Sequence, residues 1–287
     1  MGKKQKEIAE KIKITPHAIL LLILFIVIAL VVLFPIFCIT LASFKPSKEL
    51  LRFGLNIKIE PEVMSLNNFI FLFTGKNSYF MWFKNSIVIT AVQASLTLIV
   101  SAVVGYGFAM YDFKYKNQLF MCVILIMMIP MEIIMLPLYK QMIGMKLIDT
   151  IWGIILPFVA SPAPIFFFRQ YLSGIPRELM EAGRIDGCSE YGIFGRIILP
   201  LMAPSFAAMG IFVGMSSWNG FLWPLIVLRS QQKFTLPIGL ATLITPYGNN
   251  YDVLIAGSVM AILPILVVFL FFQQYFIEGM TAGGVKG

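Results

Sequence analysis

Charged side chains are sparse in this sequence, yet one stretch of 35 residues, 169–203, gathers Glu178, Glu181, Asp186 and Glu190 with Arg169, Arg177, Arg184 and Arg196. Carboxylates and guanidinium groups at that density suit charge-assisted hydrogen bonds at a docked surface. The local pattern predicts two short helices joined by a turn. Pro176 fits a first helical position, Glu178 and Glu181 complement the positive N-terminal end, and Gly187 fits a left-handed stop. Ser189 is then placed to cap the second helix. Ile175, Leu179 and Ala182 recur at spacings of four and three and predict the apolar face of the first helix; Ile193, Phe194 and Ile197 mark one face of the second. Such a hairpin between two apolar runs is a rigid knob for a partner to grip. The plainer alternative is an interfacial hairpin whose charges only face water, and on that alternative Glu190 serves as a surface comparison for Glu181.

A second group of polar residues lies inside apolar sequence. Glu132 falls between Pro130 and Pro137, and an ionisable group in a membrane span costs roughly 2.5 to 3.5 kcal/mol. The eleven Leu, Ile, Val and Phe residues of 118–140 return about 3 to 7 kcal/mol, so the span still inserts. Glu132 is therefore expected to face a helix bundle or a wet cavity, as part of a solute path or as a structural hydrogen bonder. Trp218 and Asn219 offer an aromatic face and an amide, groups that suit sugar rings and hydroxyls or, equally, helix packing.

Other chemistry is excluded by what is missing. His17 is the only histidine, and Cys38, Cys122 and Cys188 are far apart, so no metal site or disulfide framework is expected. There is no Gly-x-x-x-x-Gly-Lys-Ser/Thr loop to cradle phosphates. Any ATP hydrolysis must then belong to another polypeptide, and no cofactor is expected. The net charge of +8 does not mark a nucleic-acid surface, because the basic residues are scattered and Lys3, Lys4, Lys6, Lys11 and Lys13 crowd the N-terminus.

The elements that must position these residues are membrane helices. The chain of 287 residues is 59% hydrophobic and 13% charged, against about 25% charged in soluble domains. Residues 18–43 form an apolar run longer than the roughly 20 residues that cross a hydrocarbon core, and too long for a signal peptide. Further spans are predicted at 84–110, 118–140, 151–168, 204–228 and 255–276, giving an all-α protein with six transmembrane helices. The organisation expected is an N-terminal segment 1–17, the first span 18–43, a loop 44–83, a core 84–276 containing the hairpin 169–203, and a tail 277–287. The N-terminal lysines place both termini and the hairpin in the cytosol. Residues 44–83, 144–150 and 229–254 then lie outside.

One sequence pattern is more specific than composition. Glu181-Ala182-Gly183, three residues, Gly187, and then Ile198-Leu199-Pro200 resembles the EAA coupling signature of ABC importer permeases, with Gly183 in place of the usual second alanine. From about Leu66 to the end the chain is similar to the carbohydrate branch of that family, the permeases like the smaller one of maltose and glycerol-phosphate systems. The resemblance includes Ile129-Pro130 with Glu132, Leu136-Pro-Leu-Tyr139, Trp218-Asn219 with Trp223-Pro224, Thr235-Leu-Pro237, and the tail Thr281-Ala-Gly283-Gly284-Val-Lys286-Gly287. It implies a prokaryotic cell membrane and an importer of a sugar or related polyol, with this chain forming half of the translocation path. Its implied partners are a homologous second permease, two ATP-binding subunits, an extracytoplasmic solute-binding protein and membrane lipid. By position, Glu181, Ala182, Gly183, Asp186, Gly187, Ile198 and Pro200 would couple to the ATP-binding subunits, with Glu181 meeting a basic residue. Thr281, Gly283, Gly284 and Lys286 would make a second contact with them. A permease for another small solute, or a secondary transporter, is the rival reading.

Overall fold

Among the residues described in this computed structural model, 16–54, 57–74, 78–244 and 251–281, the regular elements are all helical. Pro16 opens α1 (Pro16–Ser43), whose side chains are exposed from Pro16 to Phe37, as suits a helix surrounded by lipid or by another chain. α2 (Ser47–Phe53) and α3 (Asn67–Thr74) follow it, and the Asn68 amide donates to the carbonyls of Ser43 and Lys45 at 2.9 Å each. The chain divides into two compact units, one within Met1–Phe71 and Asn250–Val259, the other within Leu72–Asn249 and Met260–Gly287.

The second unit is organised around α4 (Tyr79–Met110), whose 32 residues reach about 48 Å, longer than a hydrocarbon core of about 30 Å. α5 (Lys116–Met127) and α6 (Met131–Gly144) replace the single span predicted at 118–140, and they bend by 101° at the break. The cause is local. Pro130 lacks an N–H and pushes Ile129 away from helical geometry, and it takes the extended N-cap position of α6 with ψ 137°. α7 (Ile151–Ile155) runs through a 3₁₀ turn, Leu156–Phe158, into α8 (Pro162–Leu172) with a bend of 42°. Then come α9 (Glu178–Ile185), α10 (Glu190–Ile193), a π-turn at Phe194–Ile198, α11 (Leu199–Leu201) and α12 (Ala203–Trp218). The chain ends through α13 (Leu222–Val227), α14 (Leu236–Ala241) and α15 (Tyr251–Thr281). Among the described residues three apolar helices are long enough to cross a membrane unbroken, and with each of the three bent pairs taken as one span the number is the predicted six.

Two cores sit at different levels of α4. One gathers Ala102, Tyr106, Phe168, Leu172, Met180, Ile193, Ile198 and Met202; the other gathers Ile89, Met142, Ile154, Ile155, Trp223, Val227 and Ile238. The second is closed by Asp149, which takes the backbone N–H groups of Arg229 and Ser230 at 3.0 Å each, the Ser230 hydroxyl at 2.6 Å and Lys233 at 2.9 Å. Partial burial opposes ionisation of Asp149, but these four donors outweigh it and hold its carboxyl well below the usual carboxylate range. The loops 144–150 and 229–234 therefore share one side, as the predicted alternation of spans requires.

The first core depends on a glycine. A Cβ on Gly105 would lie 2.8 Å from the Phe168 Cβ and 3.0 Å from the Arg169 backbone nitrogen, so α4 and α8 touch backbone to backbone. Gly105→Ala is expected to destabilise the chain by about 1 to 3 kcal/mol, because no flexible side-chain end is available to yield. A fall in thermal midpoint in detergent checks this; an unchanged midpoint would contradict the contact.

Candidate functional site

Arg177 precedes α9 as its N-cap, so the helix begins at Glu178, two residues later than the predicted start at Pro176. It ends where expected, with Gly187 at φ +76°, a conformation that favours glycine. The Ser189 hydroxyl accepts the Gly192 N–H at 3.2 Å and caps α10.

The buried face of α9 differs from the predicted one. Met180 is 2% exposed and Gly183 is buried, whereas Leu179 and Ala182 are exposed. A Cβ on Gly183 would meet the Ile197 Cδ1 at 2.8 Å and the Ile193 Cγ1 at 3.0 Å. The small residue is the docking point, and α10 presses into the notch it leaves. Of the second predicted face, Ile193 is fully buried, Phe194 and Ile197 are half-buried, and Ile198 joins them at 0% exposure. Turned outward are Leu179, Glu181, Ala182, Asp186, Ile185 at 85% exposure and Tyr191 at 91%. An apolar patch edged by carboxylates is thus left on the tip of the hairpin.

Two ionic staples hold this tip, one within the hairpin and tied to the end of α4 through Tyr111, the other directly between Arg177 and the segment after α4. Arg184 donates to Glu190 through Nε at 2.7 Å and through its terminal nitrogen at 3.2 Å, and the Tyr111 hydroxyl donates to the same carboxylate. Arg177 donates to Asp112 at 2.9 Å, and Lys116 bridges Asp112 at 3.1 Å and the Tyr111 carbonyl at 2.7 Å. Glu190 is therefore no neutral surface residue. Glu181 has no side-chain partner among the described residues and borders a cleft of about 210 Å³ with Arg177 and Arg184. Tyr111, Asp112 and Lys116 escaped the sequence reading, although the Asp112 and Lys116 spacing of four was a visible signal.

Arg184 and then Tyr111 hold the Glu190 carboxyl below its usual range; Arg177 and then Lys116 do the same for Asp112. A carboxyl with a lowered folded pKa stabilises fully above its ordinary value and loses that contribution as pH falls through the folded one. The staples are expected to contribute fully from pH 8 to about pH 5, to lose that contribution as pH falls below ordinary carboxyl values near 4, and to be released only below the lowered folded values. Amide exchange in residues 189–193 followed over that range should accelerate only on the acid side, beyond the intrinsic rate; equal protection at pH 3 and pH 7 would contradict it.

The other predicted residues are scattered. Glu132 is exposed in the first turn of α6, where its charge complements the helix N-terminus at the Pro130 break. Trp218 is buried, donates to the Ala261 carbonyl at 3.1 Å and meets Phe83 edge to face at 5.7 Å, which is helix packing. Asn219 is exposed at the C-cap of α12 and donates to the Met215 carbonyl at 3.0 Å. Thr281 is the last residue of α15, and Gly283, Gly284 and Lys286 lie outside the described residues.

Residues 98–281 match the family described as "Binding-protein-dependent transport system inner membrane component". The chain is 57% identical over 271 residues to the arabinooligosaccharides transport system permease protein AraQ of Bacillus subtilis, covering 94% of this chain and 96% of that one. It is 39% identical over 204 residues to the lactose transport system permease protein LacG of Rhizobium radiobacter, covering 71% and 74%. A chain from the crystal structure of a bacterial ABC transporter involved in the import of the acidic polysaccharide alginate has the same fold, with a TM-score of 0.79 at 22% identity over 91% of this chain and 96% of that chain. The helical hairpin between spans, the broken helices and these relatives converge: the chain belongs to the binding-protein-dependent transport system inner membrane components and is a permease subunit of an ABC importer.

Proposed function

We propose that this permease imports an oligosaccharide, in an assembly with a homologous companion permease, two ATP-binding subunits and an extracytoplasmic solute-binding protein. The sugar class follows from similarity to permeases named for arabinooligosaccharides, lactose and maltodextrin. What supports the coupling role is the hairpin tip, an outward patch of Leu179, Ala182, Ile185 and Tyr191 beside Glu181, anchored to the end of α4 by the Arg177–Asp112 pair and the Tyr111–Glu190 hydrogen bond. An apolar patch at the end of an anchored hairpin is suited to a protein cleft. In this reading the tip faces the cytosol and Glu181 meets a cation of an ATP-binding subunit, which supplies the hydrolysis this chain has no phosphate loop to perform.

Closure of the ATP-binding subunits would move the hairpin and α4 together and turn the path between outward and inward access. The Asp149 side would face the solute-binding protein, both termini would be cytosolic, and the tail after Thr281 would make a second contact with the ATP-binding subunits. Glu132, exposed at the α6 break, is kept as a candidate for the path where the companion meets this chain. Reconstitution of the complete assembly in liposomes tests the reading. Uptake of an arabinooligosaccharide should require ATP and the binding protein; uptake by this chain alone, without either, would refute it.

A further inference from the structure

Between the two cores, at the middle of α4, lies a cavity of about 240 Å³ that neither core fills. That is far more than the roughly 30 Å³ share of a single water. Gln93 and Thr97, one helical turn apart on α4, face it, with Ser216 and Ser217 from α12 and Thr235 from the entry to α14. Its polar groups are arranged but unevenly satisfied. The Ser217 hydroxyl donates to the Gln93 Oε1 at 3.1 Å, which fixes the amide and leaves its two N–H donors without a partner among the described residues. Ser216 donates to the Phe212 carbonyl at 2.9 Å and keeps its lone pairs free to accept. Thr235 is 4% exposed, yet its hydroxyl has no hydrogen-bond partner among the described residues. A buried hydroxyl is ordinarily bonded, so this one is waiting for a group that enters the cavity.

The walls are aromatic. Phe158 and Trp223 pack edge to face at 6.3 Å, and the Trp223 indole N–H is already engaged by the Gly153 carbonyl at 3.1 Å, so its ring serves as a wall and not as a donor. Fixed amide and hydroxyl groups opposite aromatic carbon match a molecule that carries hydroxyls and C–H faces together. We infer that this cavity is a sugar-binding subsite contributed by this permease itself, with Gln93 donating to, and Ser216 and Thr235 exchanging hydrogen bonds with, the hydroxyls of one ring. The inference rests on the sugar-import reading above, and it differs from the Trp218 and Asn219 site expected from sequence.

Thr235→Val is the informative substitution, because it keeps the shape and removes a hydroxyl that bonds to nothing among the described residues. A merely structural threonine there would give an unchanged or more stable protein with normal transport. Gln93→Leu is its companion. The complete importer, trapped with ADP and vanadate after exposure to radiolabelled arabinooligosaccharide, should retain the sugar, and each variant should retain about a tenth as much and show a matching loss of uptake. The thermal midpoint of Thr235→Val should equal or exceed that of the unmodified assembly. Retention and uptake within twofold of the unmodified assembly in both variants would overturn the subsite and leave the cavity to water. An unmodified assembly that moves no sugar would remove the functional reading together with the subsite.

Discussion

Glu181→Lys is expected to leave the chain inserted and associated with its companion while abolishing sugar-stimulated ATP hydrolysis and uptake. Glu181 is exposed on the hairpin tip and has no side-chain partner among the described residues, so beyond complementing the N-terminal end of α9 its charge does little for the fold of this chain. An isolated surface residue of that kind tolerates charge reversal within about 0.5 kcal/mol. At a docked site facing a cation, the same reversal sets like charges together and costs several kcal/mol. The magnitude separates the two accounts. Membrane abundance, recovery of the ATP-binding subunits and stimulated ATPase should be measured beside Glu178→Lys, which lies in the first turn of the same helix and is exposed too. Normal coupling in the Glu181 variant would end its assignment, and equal losses in both would shift it to the overall acidity of the helix.

Glu190→Lys is expected to fail differently. It sets a cation against Arg184 and strips Tyr111 of its acceptor, so the tip loses one of its two anchors to α4. Both side chains are about half exposed, and such pairs add little to stability. The chain should therefore fold and recruit its ATP-binding subunits, yet uptake per ATP hydrolysed should fall about tenfold, because movement of the tip is no longer passed to the span. The exchange Arg184→Glu with Glu190→Arg restores the pair within the hairpin but leaves Tyr111 without an acceptor, so it should recover little, whereas Glu190→Gln keeps an acceptor for Tyr111 and should retain most of the coupling. If Glu190→Gln couples no better than Glu190→Lys and both lose subunit binding, Glu190 is itself a partner contact and the anchor has no role in transmission.

Much of this molecule was legible because membranes impose long apolar runs, and the six spans, the Gly187 stop and the Ser189 cap were read from residue type alone. The failures share a physical origin. The break at Pro130 passed as continuous because hydropathy averages over the two helices it separates. The inner face of α9 was missed because Gly183 adds nothing to an apolar pattern, although its lack of a side chain is what admits Ile193 and Ile197. Trp218 and Asn219 attracted notice by residue type; Trp218 uses its indole N–H on Ala261, while Asn219 uses one amide N–H on Met215 and is exposed. The cavity polar groups were unremarkable in sequence, since Gln93, Ser216, Ser217 and Thr235 meet only after α4, α12 and the α14 entry have packed.

The π-turn at Phe194–Ile198, where the Leu199 N–H reaches back five residues to the Phe194 carbonyl, also bears on how chain length varies along this lineage. It holds one residue more than an α-helix needs between the same two ends. That surplus swings Ile198 round to the side of Ile193, and both are fully buried. Loss of a single residue near Gly195, exposed and with nothing within 4 Å of its missing Cβ, would collapse the bulge into ordinary helix. Loss of a residue inside α9 has no such slack to draw on and would rotate Met180 away from the bundle. Natural insertions and deletions should therefore gather at the bulge and be purged from the helix before it, an asymmetry readable from the gaps in aligned relatives.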